Sequence, residues 1–190
     1  MADAPPAAVL VAVLAAGRAA RFGGGKLEAD CAGKPLGRWA LDAAAAAGLS
    51  QGLIVTGPGG AAWAQGWRQV ANPQPEDGLG SSLALAAQAA LAEGAPALLV
   101  LLADMPLVDP AFLRRLANTA PPAATRHIDG RPGVPAMLGH ALIERAALLT
   151  GDRGAGPLLM DATLLDAPPG TLADVDRPGD LAAAARILAS

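Results

Sequence analysis

The chain has 190 residues and a formal net charge of −3; 53% of it is hydrophobic but only 3% is aromatic. No apolar run approaches the roughly 18 residues that span a bilayer, and the slight acidic balance argues against a general nucleic-acid binder. A lone cysteine, Cys31, leaves no partner for an intrachain disulfide and no thiolate-rich zinc site.

The length is enough to bury a proper core, so the expectation is a single domain over residues 1–190, with 1–8 as a disordered lead. Asp3 stands where a secretory leader would carry positive charge, and the apolar part that follows doubles as a strand. The expected location is therefore cytoplasmic.

The first element is an apolar run over 9–14 with the length of a buried strand. It breaks into Ala15, Ala16 and Gly17, then Arg18, Arg21, the triplet Gly23, Gly24, Gly25, and Lys26. Such a loop at the carboxyl end of a first strand lets backbone N–H groups approach phosphate, because glycine has no Cβ to hold it away. Arg18, Arg21 and Lys26 would add charged donors. Two common phosphate loops do not fit. A Walker A loop needs glycine where Ala20 stands and Ser or Thr where Leu27 stands, and a G-x-G-x-x-G started at Gly23 meets Glu28.

Lys34-Pro35-Leu36 suggests a helix running to about Gly48, with Leu36, Trp39, Ala40 and Ala43 on one face. A strand over 53–56, a weak helix over 61–65 and a strand over 67–71 follow. The polar loop from Asn72 ends in Gly80, Ser81 and Ser82, where a serine would cap a helix over 82–93 and offer free N–H groups to an anion or carbonyl. The all-apolar run over 97–103 implies a strand covered on both faces, as in a parallel sheet. It ends at Asp104-Met105-Pro106, opposite the glycine loop if both strands share one sheet edge.

Beyond it come a helix over 110–119, a loop or hairpin over 121–135 and a strand over 134–138. A helix over 140–149, a second glycine-rich loop over 151–156 and a short helix near 157–160 follow. Strands over 163–166 and 172–175 and a final helix over 178–189 complete the chain. Cys31 reads as a packing residue, His127 and His140 as surface histidines, and Arg114 and Arg115 as a solvated helix face.

Asp104 has the position of a Mg²⁺ ligand, since Mg²⁺ takes one or two carboxylates plus substrate phosphates. A second carboxylate is expected from Asp174 or Asp176, which alternation along a strand puts on one side. Asp180 reads as a first-turn carboxylate complementing a helix dipole.

Leu14-Ala15-Ala16-Gly17 with Arg21-Phe22-Gly23 and Lys26 resembles the LAAGxSxRMGxxK signature of the MobA-like nucleotidyltransferases, with Ala19 at the Ser position and Phe22 at Met. Asp104-Met105-Pro106 is similar to the family's DMP motif, and 174–181 to its D-x-D-T-P-x-D-L ending, with Arg177 for Thr. The stretch from Asn72 to Leu83 resembles the one lining base and ribose. Gly151-Asp152 begins a loop similar to G-D-x-G-A-R, with Gly156 for the arginine, and Gly133-Val134-Pro135 stands where the family has Gly-His-Pro. The resemblance spans residues 14–181.

The resemblance implies a three-layer α/β/α sandwich with a mostly parallel sheet, of the nucleotide-diphospho-sugar-transferase (Rossmann-like) type. It implies a Mg²⁺-dependent transfer of CMP from CTP to the phosphate of molybdenum-bound molybdopterin, releasing pyrophosphate and giving the cytosine dinucleotide cofactor of xanthine-dehydrogenase-type enzymes, one of which would be the recipient. Arg18, Arg21, Lys26 and Asp104 are then catalytic, and Asp104 with Asp176 holds metal. Leu14, Ala15, Ala16, Gly17, Gly23, Gly24, Lys26, Asn72, Gly80, Ser81 and Ser82 bind nucleotide, while Pro135, Gly151 and Asp152 bind the acceptor. LAAG typifies the cytidylyl branch, since the Ala16 methyl takes room a guanine would need, and Ser81 or Ser82 would reach the cytosine edge. A guanylyl or sugar-phosphate nucleotidyltransferase and a non-catalytic cofactor-binding accessory protein are the alternatives.

Overall fold

The computed structural model describes residues 9–17, 22–49, 52–151 and 154–189. The Val9–Leu14 strand (β1) is buried along its whole length. A short hairpin of Asp30–Cys31 (β2) and Lys34–Pro35 (β3) precedes the helix Arg38–Ala46 (α1). Gly52–Thr56 (β4), Arg68–Ala71 (β5) and the helix Leu79–Ala92 (α2) follow, with one-turn helices over 62–64 and 75–77 between them. Ala97–Leu102 (β6), Pro110–Ala117 (α3), Ala123–Arg126 (β7), Pro132–Gly139 (β8) and His140–Ala146 (α4) lead to Thr163–Leu165 (β9) and Pro178–Leu188 (α5).

Seven strands form one sheet in the order β5-β4-β1-β6-β8-β7-β9. Pairing is parallel from β5 through β6, β8 runs against both neighbours, and β9 lies parallel to β7. The sheet is therefore mostly parallel, with helices on both sides. Alternation along β1 builds the two cores. Val9, Val11 and Val13 pack with Leu41 of α1 and Phe112, Leu113 and Leu116 of α3. Leu10, Ala12 and Leu14 pack with Leu83, Ala86 and Ala87 of α2 and Ile143 of α4. Alanine on the helix faces lets the helices sit close, which is how an aromatic-poor chain fills its core.

Three expectations give way to tertiary contacts. Lys34 and Pro35 do not begin a helix: Ala32 and Gly33 both take positive φ, the geometry of a tight two-residue hairpin turn, and pair Cys31 with Lys34. Consequently Leu36 and Trp39 pack against Val175 and α5, while Ala40 and Ala43 join the main core, so the four do not share one face. The serines do not cap α2, which begins at Leu79 after Gly78 at φ 90°. Residues 172–175 are not a strand; in place of a ladder, the Val175 N–H donates to the Asp104 carbonyl at 2.9 Å.

Nor is Arg114 simply a solvated cation. Its guanidinium donates to the carbonyls of Ala46 (3.0 Å) and Ala47 (3.2 Å), satisfying the end of α1. Arg115 bonds the Asp166 carbonyl. Gly37 is required by close approach, since a Cβ there would lie 2.4 Å from the buried Trp63 ring. Cys31 is fully buried, and burial first, then the nearby Asp30 charge, raises its thiol pKa.

Candidate functional site

Strands β4 and β5 lie on one side of β1 and β6 on the other, so the chain order reverses between β1 and β6. Open α/β sheets bind ligands at the carboxyl ends of strands beside such a reversal. A cleft of about 390 Å³ lies there. Leu14, Ala15, Ala16 and Gly17 line it from the exit of β1, Lys26 and Leu27 from the end of the glycine loop, and Leu102, Ala103 and Asp104 from the exit of β6. Pro75, Glu76, Gly78, Leu79 and Ser82 close the remaining wall.

Lys26 is the electrostatic hinge of the cleft. Its Nζ donates to Asp104 Oδ2 at 2.8 Å and lies 3.6 Å from Asp176 Oδ1. Only 9% of the residue is exposed, too little for an ammonium to stand without counter-charge. Asp176 arrives from the far end of the sequence by two anchors. The Val175 bond to the Asp104 carbonyl fixes the residue before it. Asp180 Oδ2 then accepts from the N–H groups of Asp176 (3.1 Å) and Arg177 (2.8 Å), capping α5 from its first turn.

Asp104 Oδ1 is buried and has no hydrogen-bond partner among the described residues. Such an orphan acceptor calls for a ligand to its lone pairs. A hard divalent cation fits this donor set, since Mg²⁺ needs few protein carboxylates and fills its shell with phosphate and water oxygens. Among the described residues no group of three or more His, Cys, Asp or Glu could hold a metal. The other orphan among the described residues is Thr56 Oγ1, at the end of β4.

Gly23 and Gly24 sit exposed at φ 92° and 94°, conformations that glycine adopts without strain. They lie on the loop leading to Lys26 but not in the cleft wall. Asn72, 2% exposed, is also off the wall. Its Oδ1 accepts from the Gln74 N–H at 3.0 Å, and its Nδ2 donates to Ser81 Oγ (2.9 Å) and Ser82 Oγ (3.0 Å). Ser81 in turn donates to the Gly78 carbonyl at 2.8 Å. The Gly80 N–H bonds the Gly151 carbonyl at 3.0 Å, tying the second glycine-rich loop to the start of α2. Pro135 is buried in β8, where its carbonyl accepts from Thr125 Oγ1 at 2.7 Å. Arg18, Arg21 and Asp152 lie outside the described residues.

Residue order singles out Leu14, Ala15, Ala16, Gly17, Lys26, Ser82 and Asp104 of this wall but not Leu27, Pro75, Glu76, Gly78, Leu79, Leu102 or Ala103. Glu76 falls inside the Asn72–Leu83 stretch, so its neighbourhood was marked even though its side chain was not. The apolar members carry no chemical signature in one dimension.

A mostly parallel sheet that gathers a small-residue loop, a buried lysine and two carboxylates at its reversal point defines an α/β protein of the nucleotidyltransferase, Rossmann-like type. A model of the MobA-like NTP transferase domain matches residues 11–166, and the chain belongs to that family. Its structure is similar to that of a nucleotidyl transferase from Methanothermobacter thermautotrophicus, with a TM-score of 0.78 and 24% identity over 95% of this chain and 97% of that one. It is also similar to Rv0371c from Mycobacterium tuberculosis H37Rv, with a TM-score of 0.74 and 26% identity over 96% and 99%. A manganese complex of Rv0371c gives a TM-score of 0.74 and 24% identity over 94% and 98%. No curated protein matches the chain in sequence.

Proposed function

We propose that this NTP transferase moves CMP from CTP to the phosphate of molybdenum-bound molybdopterin, releasing pyrophosphate, and acts as one domain in the cytoplasm. The observation that carries the reading is the pairing of Lys26 with Asp104 on the wall of the cleft at the strand ends, with Asp176 3.6 Å from the same Nζ. A protein that only carried a finished cofactor would have no use for two carboxylates gathered where a triphosphate must lie.

The acceptor phosphate is already an anion, so no protein nucleophile is needed, and positioning and electrostatics do most of the work. Asp104 and Asp176 would hold Mg²⁺, which supplies charge neutralisation at the α-phosphate. That a manganese complex of Rv0371c exists supports a divalent ion in this fold. Lys26 holds positive charge against the departing pyrophosphate, with Arg18 and Arg21 assigned the same task. The backbone of Leu14 to Gly17, together with Gly23 and Gly24 on the loop, approaches the nucleotide closely. Ala16 lines the cleft with only 6% exposure, and its methyl takes space that favours a pyrimidine over guanine. Pro135, Gly151 and Asp152 are assigned to the acceptor side.

The test is pyrophosphate release with Mg²⁺ and molybdenum-loaded pterin, with CTP, GTP, ATP and UTP compared in parallel. Release with CTP alone is expected. Release with GTP alone overturns the base assignment, and release with none, despite nucleotide binding, overturns the reaction.

A further inference from the structure

Strands β6 and β8 part at the edge of the sheet that carries the cleft. The β1–β6 ladder runs to the end of β6, pairing Leu14 with Leu102, but the β6–β8 ladder stops two residues short, at Val100 and Ala136. Because β8 runs against β6, its first residues lie at the edge where Leu102 and Asp104 line the cleft. The cause sits on the other side of β8. Its register against β7 jumps by two between the pairs Ala124–Ala136 and Thr125–Gly133, so Val134 and Pro135 have no counterpart on β7. Side chains take their carbonyls instead. Thr125 Oγ1, fully buried, donates to the Pro135 carbonyl at 2.7 Å. The half-buried His127, just past β7, meets the Val134 carbonyl with Nε2 at 2.9 Å; a carbonyl only accepts, so Nε2 carries the proton. The ring lies so close over Gly133 that a Cβ there would be 2.4 Å from Nε2. Its backbone is clamped as well, by the His127 N–H on the Arg131 carbonyl (3.0 Å) and the Gly130 N–H on the His127 carbonyl (2.8 Å). Carbonyls drawn toward β7 do not extend the ladder on β6.

An in-line displacement sets the attacking and leaving oxygens on opposite sides of the phosphorus. With the pyrophosphate assigned to Lys26 and the loop that follows β1, the attacking phosphate has to approach over the far side of β6, which is where the sheet parts. We infer that Thr125 and His127 are positioning residues for the acceptor: they hold the Val134–Pro135 bulge against β7 and so keep the gap beside the end of β6 open to the acceptor phosphate. This deepens the transferase reading and rests on it. Neither side chain lines the cleft itself, and both act through the two bulged residues, of which Val134 packs on the core that contains Leu14, Ala16 and Leu102. The ring of His127 is thereby a fixed part of the β7–β8 turn and not a free surface group.

The experiment is calorimetric titration of the full chain with CTP and, separately, with molybdenum-loaded pterin, in wild type, His127→Leu, His127→Gln and Thr125→Val, with circular dichroism as a check of folding. His127→Leu removes the donor at similar volume and should weaken pterin binding about tenfold, the scale of one lost hydrogen bond, with CTP affinity unchanged. His127→Gln, whose amide N–H can reach the same carbonyl, should recover most of that loss. Thr125→Val keeps the shape without the hydroxyl and should also weaken the pterin and not CTP. A merely structural role would lower stability without separating the two ligands, and would not be rescued by glutamine alone. Should Thr125→Val fail to fold, the two His127 variants decide. A wild type that binds CTP but not the pterin overturns the acceptor of the transferase reading and this inference with it. A wild type that binds both, with pterin affinity unchanged in the folded variants, overturns the positioning role alone.

Discussion

The Val175 N–H donates to the Asp104 carbonyl at 2.9 Å, and this one bond joins the exit of the central strand β6 to the segment before the last helix. Val175 is 1% exposed and packs with Cys31, Leu36 and Ala184. The bond and the apolar anchor together set Asp176 beside Lys26. Truncation of the anchor, Val175→Ala, removes two buried methyl groups and should cost about 2 kcal/mol. Urea unfolding checks the cost. Divalent-ion affinity measured on the folded variant should fall as well, because Asp176 loses its support.

Asp104→Asn should keep the fold and lose turnover by at least about a hundredfold, the scale for removing a main electrostatic stabiliser. The amide oxygen can still accept from Lys26, and Asp176 leaves that buried ammonium a counter-charge 3.6 Å away, so the fold survives at a lowered unfolding temperature while pyrophosphate release collapses. Near-normal release from this variant would remove Asp104 from the reaction.

Arg114 reaches across from α3 to the last carbonyls of α1. Arg114→Ala should destabilise by about 1 to 2 kcal/mol, the range for hydrogen bonds to a charged group, with nucleotide affinity unchanged because the contact lies away from the cleft. Arg114→Lys should recover only part of the loss, since one ammonium cannot reproduce the fork to two carbonyls. Chemical denaturation of the two variants side by side tests the order.

Asp42 sits between Lys34 and Arg38, bonded to both. Burial pushes its pKa up, but the hydrogen bonds and charges of the two cations outweigh that and leave it lowered. A carboxylate with a depressed folded pKa favours the folded state above its unfolded value of about 3.9, and that contribution is lost as pH falls through the folded value. Asp42→Asn should therefore be less stable than wild type at neutral pH and converge with it in acid. Unfolding midpoints measured from pH 7 down to about pH 2 read the convergence directly. A gap that persists at the acid end would show that packing, not charge, accounts for the difference.

How far the sequence reaches depends on whether the signal is local. The buried strands β1 and β6 were legible because an all-apolar run with both faces covered is a property of consecutive residues. The small-residue loop, Lys26 and the Asp104 motif stand out because each interrupts or ends an apolar run, and the fold brings residues of all three to one cleft. The start of α5 was legible from local helix-start signals, with Pro178 entering the first turn and Asp180 near the cap.

Tertiary structure decided what depends on residues far apart in the chain. The Ala32-Gly33 turn took Lys34 and Pro35 out of the first helix because paired backbone groups across a hairpin outweigh a proline's preference for a helix start. The Gly80–Gly151 bond accompanies a helix start ahead of the serines, and the one bond to Asp104 stood where a strand was expected at 172–175. Most of all, nothing in the order of residues says that Lys26 lies between Asp104 and Asp176, or that Asn72 spends its amide on Ser81 and Ser82. Residue order alone sets which chemical groups the protein owns and which strands are buried. Their meeting at one edge of the sheet, and the direction of each hydrogen bond there, came from the fold, because distance and donor–acceptor polarity are set by packing in three dimensions.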